Sequence, residues 1–128
     1  MLKFNHVHIK GPDPKKTAQW YIDVFGARTI EEFLIRGAPT IAMDLCGVRI
    51  NITGLAPGQK LPSGSAKPHL GLEHICVETD DLEPLVAKLK ARGAEVLDAP
   101  PPAASGAQAV FIRAPDNVRI EVLKPARR

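Results

Sequence analysis

The sequence predicts an α+β fold in which one βαβββ unit is used twice. Three observations predict it. Residues 4–13, Phe-Asn-His-Val-His-Ile-Lys-Gly-Pro-Asp, superimpose on residues 72–81, Leu-Glu-His-Ile-Cys-Val-Glu-Thr-Asp-Asp, at an offset of 68, which lays His6 on His74, Val7 on Ile75, Ile9 on Val77 and Asp13 on Asp81. Val48-Arg49-Ile50-Asn51-Ile52 matches Val118-Arg119-Ile120-Glu121-Val122 at an offset of 70. Each copy opens with the two-residue alternation of a strand and then runs through an Asp into a helical pattern.

The first strand is expected over residues 3–10, with Phe4, His6 and His8 on one face and Asn5, Val7 and Ile9 on the other. Gly11-Pro12-Asp13-Pro14 breaks it, Asp13 serving as N-cap and Pro14 fitting the first helical turn. Ala18, Tyr21, Ile22 and Phe25 keep helical spacing until Gly26 ends the helix. Residues 29–35, 39–45 and 48–53 read as strands, with turns at Gly37 and Cys46-Gly47. The second copy repeats the plan. A strand over 69–79 leads to a helix capped by Asp81, with Leu82, Leu85, Val86 and Leu89 on one stripe and Gly93 at its end; strands follow at 95–97, 107–113 and 118–123. The boundaries are therefore a first unit at 1–53, a linker rich in proline and glycine at 54–68, and a second unit at 69–125. Units of about 60 residues are marginal alone, so two half-domains sharing one core are expected.

The 128 residues carry 45% hydrophobic and 24% charged side chains, the balance of an ordinary globular domain. A net charge of +3 and 5% aromatics, with no basic stripe, exclude a nucleic-acid surface. No segment is apolar for long enough to span a bilayer, and Met1 to Asn5 enters a strand without the pattern of a secretory leader, so a cytoplasmic protein is expected. Cys46 and Cys76 fall singly, without CxxC spacing, and read as buried reduced thiols.

The candidate chemistry lies in His6, His74 and Glu121. Imidazole and carboxylate are good ligands for divalent first-row metals, and two His with one carboxylate leave positions open for substrate or water. Equivalent positions of a duplicated unit meet near its pseudo-axis, which would set His6 towards His74 and Glu121 towards Asn51. His8 shares a face with His6 and is a candidate acid or base, or else a histidine held only by hydrogen bonds. Arg49 and Arg119 stand two residues before Asn51 and Glu121; either could hold a substrate carboxylate in a bidentate fork, or be solvated on an edge strand. His69 reads as a surface residue. Trp20 and Tyr21 read as packing or interface residues.

These stretches, with "AQWYIDVFGA", "LEHICVETDDLEPLVAKLKARGAEV" and the ending "APDNVRIEVLK", resemble the vicinal oxygen chelate superfamily over essentially the whole chain. That superfamily includes glyoxalase I (lactoylglutathione lyase), methylmalonyl-CoA epimerase, extradiol dioxygenases and the fosfomycin and bleomycin resistance proteins. The second half most resembles the epimerase and the lyase. The resemblance implies curved mixed sheets around a metal-binding cleft, with His6, His74 and Glu121 as ligands and Glu121 also catalytic beside His8. The family's further ligand position, Glu or Gln in glyoxalase- and epimerase-like members, falls on Asn51, which cannot act as a base. The set that remains has the pattern of non-haem Fe(II) oxygenases. The expectation is thus a divalent-metal enzyme acting on a small metabolite with vicinal oxygens, with Fe(II) favoured over Mn, Ni, Co or Zn. Dioxygenase chemistry leads, lyase or isomerase proton transfer follows, and a non-catalytic antibiotic-binding protein is the third reading. Arg49, Asn51 and Arg119 are expected on the substrate side. The resemblance, the long linker and the aromatic first helix together imply a homodimer.

Overall fold

A computed structural model describes residues 1–126. The chain divides into two compact units, one ending at Pro62 and the next starting at Ser63.

In the first unit, β1 (Val7–Lys10), α1 (Pro14–Phe25), β2 (Arg28–Ile35), β3 (Ala38–Leu45) and β4 (Val48–Thr53) form a four-stranded sheet in the order β1-β4-β3-β2. β1 runs parallel to β4, and the other pairs are antiparallel. Local chemistry sets the ends of α1. The Asp13 carboxylate accepts from the Lys16 amide at 3.1 Å, and Gly26 takes the left-handed conformation (φ +69) that closes the helix. β2–β3 and β3–β4 are joined through Arg36-Gly37 and Cys46-Gly47, each pair at positive φ, which matches the twist of a tight hairpin. The rows Ile9–Ile52–Ile41 and Val7–Ile50–Met43 cross the sheet on one face, and α1 packs on β3 and β4 with Ala18, Tyr21 and Val24 buried. The row His8–Asn51–Ala42–Glu31 lies on the other face. β2, at the end of the sheet, has a bulge between Thr29 and Glu31 and exposes Ile30 and Leu34.

The second unit repeats this with β5 (Ile75–Glu78), α2 (Leu82–Ala91), β6 (Glu95–Asp98), β7 (Gln108–Ala114) and β8 (Val118–Lys124), in the order β5-β8-β7-β6. Ile75–Ile120–Ile112 and Val77–Val122–Val110 form the apolar rows on the α2 side, where Leu82 and Leu89 are buried. Cys76–Glu121–Phe111 forms a row of the opposite face. The repeat is kept in the hydrogen bonds themselves. Val7 pairs with Ile50, and Ile75, 68 positions after Val7, pairs with Ile120, 70 positions after Ile50.

Four expectations need correction. The opening strands start at Val7 and Ile75 rather than at 3 and 69, because alternation records which way a residue faces and not whether a partner strand lies beside it. His6 and His74 therefore stand one residue ahead of their strands. Asp81 precedes α2 but makes no side-chain capping bond, and the last helical turn ends at Arg92 with Gly93 following at φ +83. Both cysteines are free and exposed, Cys46 because it occupies the left-handed turn position (φ +51) and Cys76 because it lies on the polar face of an edge strand. β4 and β8 are interior strands, so edge solvation does not describe Arg49 or Arg119.

The apolar rows carry the stability. Ile120→Ala, at a site with 0% exposure, should cost about 2–5 kcal/mol by urea unfolding. Leu34→Ala, 71% exposed on β2, should cost less than about 0.5 kcal/mol.

Candidate metal centre

The parallel ladder of β5 on β8 sets Cys76 opposite Glu121, and it carries His74, just ahead of β5, to the same end of the sheet. His74 Nε2 and Glu121 Oε2, 47 residues apart in the chain, come to 3.0 Å. Their side chains are 31% and 20% exposed, so the pair is held by the fold but remains reachable. Two neighbouring ligands of an octahedral ion, each about 2.1 Å from it, stand about 3.0 Å apart. The donor pair therefore fits a divalent cation. Among the described residues no group of three or more His, Cys, Asp or Glu side chains stands close enough to hold a metal. The second unit supplies two donors.

Three neighbours of this pair escaped the sequence. Glu73 Oε1 lies 2.9 Å from His74 Nδ1, on the side of the ring away from Glu121. The Phe111 ring meets His74 edge-on at 5.3 Å, and the Arg119 guanidinium lies over the same ring at 4.4 Å. Cys76 sits beside Glu121, and partial desolvation of its sulfur together with that carboxylate pushes its thiol up to about 11, which keeps it protonated near neutral pH. Cys76 had a signal, since it is the repeat's counterpart of His8, and Glu73 adjoins His74. Nothing in the sequence pointed to Phe111, whose role follows from strand register.

Arg119 is 8% exposed. Its Nη1 donates to the Ala66 carbonyl at 3.0 Å, while Nε, 3.5 Å from Glu73 Oε1, has no hydrogen-bond partner among the described residues. His69 closes the loop before His74, with Nδ1 facing the Lys67 carbonyl at 2.7 Å and Nε2 the Leu72 carbonyl at 2.9 Å.

The first unit holds the remaining candidates. His6 is exposed, its Nδ1 lies 2.6 Å from Asn5 Oδ1, and its ring is 6.1 Å from that of His8. Partial desolvation, then the nearby His6 and Lys10, lower the His8 pKa from the usual imidazole value. Asn51 is buried; its Oδ1 accepts from Arg49 Nε at 3.1 Å, and Arg49 Nη2 donates to Glu31 at 3.1 Å. A cleft of about 360 Å³ opens in the second unit between α2 and Pro100, on the sheet face opposite Glu121, and none of these donors lines it. Among the described residues no helix is long and apolar enough to cross a membrane.

Comparison with known proteins places this geometry. Residues 3–122 match the family model described as Glyoxalase/Bleomycin resistance protein/Dioxygenase superfamily. The chain is 32% identical over 117 residues to a mitochondrial methylmalonyl-CoA epimerase of Dictyostelium discoideum, covering 86% of this chain and 69% of that protein. A glyoxylase/bleomycin resistance protein/dioxygenase domain from Frankia sp. superimposes with a TM-score of 0.79 at 16% identity, over 98% of both chains. A mutant of the fosfomycin resistance protein FosX from Listeria monocytogenes, complexed with Mn(II) and 1S,2S-dihydroxypropylphosphonic acid, gives a TM-score of 0.78 at 17% identity, over 98% of this chain and 93% of that one. At these identities the two structures speak for the fold.

The His69 clasp makes a pH-dependent expectation. Two backbone carbonyls, those of Lys67 and then Leu72, favour the doubly protonated ring and raise its pKa above 6.5. A raised folded-state pKa contributes order that is fully present below 6.5 and is lost as pH climbs through the raised value. An NMR titration should give His69 a midpoint above 6.5, with faster amide exchange in the loop at higher pH. A midpoint at or below 6.5 would count against the clasp.

Proposed function

The chain belongs to the Glyoxalase/Bleomycin resistance protein/Dioxygenase superfamily, and from that premise we propose that it is a divalent-metal enzyme of the epimerase, isomerase or lyase kind. It moves a proton on a small metabolite whose adjacent oxygens chelate the metal. The observation that carries this reading is the convergence of His74 Nε2 and Glu121 Oε2 at 3.0 Å. The 32% identity to an epimerase supports proton transfer over oxygen insertion.

His74 and Glu121 are two of the ligands, and His6 supplies the third. When bound, a divalent cation contributes positive charge beside the substrate's oxygens. The rest falls to side chains of this chain. Glu121 and His8 are the groups that can take and return a proton at the carbon next to a carbonyl. Arg49 and Asn51, already tied to each other, offer donors to a substrate carboxylate or carbonyl. Arg119 acts on the substrate side only by giving up the Ala66 carbonyl and the Phe111 ring, so Arg49 is the stronger candidate.

Asn51 favours a second reading. A shorter side chain that cannot act as a base, where glyoxalase-like relatives carry Glu or Gln, leaves a two-His-one-carboxylate set, the pattern of Fe(II) oxygenases. Metal analysis of protein purified without chelators separates the two when paired with turnover tests. Oxygen-independent uptake of solvent deuterium at the acidic carbon of methylmalonyl-CoA supports proton transfer. Iron content with substrate-dependent oxygen consumption supports the dioxygenase. The metal set itself depends on neither outcome.

His74→Ala should abolish stoichiometric metal binding with the unfolding midpoint nearly unchanged, because a site closed by three protein ligands has none to spare. Full occupancy in that variant would overturn the site. His8→Ala should keep the metal and slow turnover about 10²- to 10⁴-fold.

We also propose a two-fold homodimer in which His6 and Glu121 of one site come from different chains, since the segment between the units is long enough for exchange. Mixing His6→Ala with Glu121→Ala protein should then restore one intact site per mixed dimer. A monomer by light scattering at micromolar concentration would overturn the dimer.

A further inference from the structure

His74 is flanked by a carboxylate on each ring nitrogen, and only one of the two carboxylates belongs to the ligand set. Glu121 faces Nε2 at 3.0 Å, while Glu73 faces Nδ1 at 2.9 Å. Glu73 is not free to turn away. The Nε of the buried Arg119 lies 3.5 Å from the same Oε1, and that nitrogen has no hydrogen-bond partner among the described residues. Arg119 is fixed in turn, by the Ala66 carbonyl and by its place over Phe111, whose ring also abuts His74. Arg119, Glu73, His74 and Phe111 thus brace one another in a closed set of contacts.

A metal-binding imidazole needs the lone pair on the nitrogen that faces the metal and the proton on the other nitrogen. A carboxylate accepting that second proton selects the tautomer, fixes the ring plane and raises the ligand's basicity. We propose that Glu73, held by Arg119, is the positioning residue of the metal centre. It accepts the Nδ1 proton of His74 and so commits Nε2 to the cation beside Glu121. This rests on the metal-site reading above and adds to it a residue that touches neither metal nor substrate. It also accounts for a buried arginine on a sheet face otherwise given to the site. A guanidinium there neutralises Glu73, which makes Glu73 a support for His74 and not a competing ligand.

The test uses the full chain stripped of metal, with Mn(II) and Zn(II) as probes. Glu73→Ala should weaken Mn(II) binding about 10- to 100-fold by calorimetry while circular dichroism and the unfolding midpoint hold. Glu73→Gln, whose amide oxygen can still accept the Nδ1 proton, should recover part of that loss. In the Zn(II)-loaded wild type, NMR of the His74 ring should find the Nδ1 proton downfield and slow to exchange, and Glu73→Ala should make it exchange rapidly. A purely packing role for Glu73 would leave that proton unmoved. Mn(II) affinity in Glu73→Ala within twofold of wild type, or a persistent slow Nδ1 proton, overturns the proposal provided His74→Ala has lost the metal. If His74→Ala also keeps full affinity, it is the metal-site reading that fails.

Discussion

Parallel strands cannot be joined by a tight turn, and the site depends on that constraint. β5 and β8 run side by side in the same direction, so the chain must leave the sheet and return before the ladder can close. It does so through α2 and the β6–β7 hairpin. The detour brings residues 47 positions apart side by side, and it lays a helix over the apolar face as it passes. One requirement of backbone geometry therefore separates a dry face from a face where imidazole and carboxylate can meet. The first unit solves the same problem in the same register, β1 against β4.

What the two units do with the shared register differs at one cross-strand row. Opposite Glu121 stands Phe111; at the matching place, opposite Asn51, stands Ala42. The ring gives Arg119 a surface to lie on, so its guanidinium is drawn over Phe111 and towards Glu73, leaving Glu121 to His74. Ala42 offers no such surface. Arg49 instead bonds Asn51 and Glu31. The duplicated arginine thus has two uses, and Phe111 in place of Ala42, with Glu73 in place of Asn5, separates them.

Much of this was legible in the sequence because it rests on local or periodic signals. The doubled pattern announced the βαβββ order of elements, Gly37 and Cys46-Gly47 marked the first unit's hairpins, and the matched histidines with Glu121 drew attention to the two side chains that meet at 3.0 Å. Proline and Asp13 fixed the start of α1 by the same local chemistry. What stayed hidden depends on contacts between strands. The exposure of Cys76 follows from its facing the polar side of an edge strand, and Phe111 and Glu73 matter only once register sets them against His74. The late start of β1 and β5 belongs to the same class, because a sequence states alternation but not the presence of a neighbour.

The bulge in β2 bears on the protein's behaviour at high concentration. An open strand end with Ile30 and Leu34 showing is a template on which a stranger's backbone could stack and seed fibre growth. The bulge twists the strand so that its free amides and carbonyls no longer form one flat line, and Glu31 and Glu32 follow it directly. Glu31 is tied to Arg49, and Glu32 beside it adds a negative charge that repels an identical copy in the same register. The irregularity that spoils the ladder on one side therefore keeps the other side from being completed by aggregation.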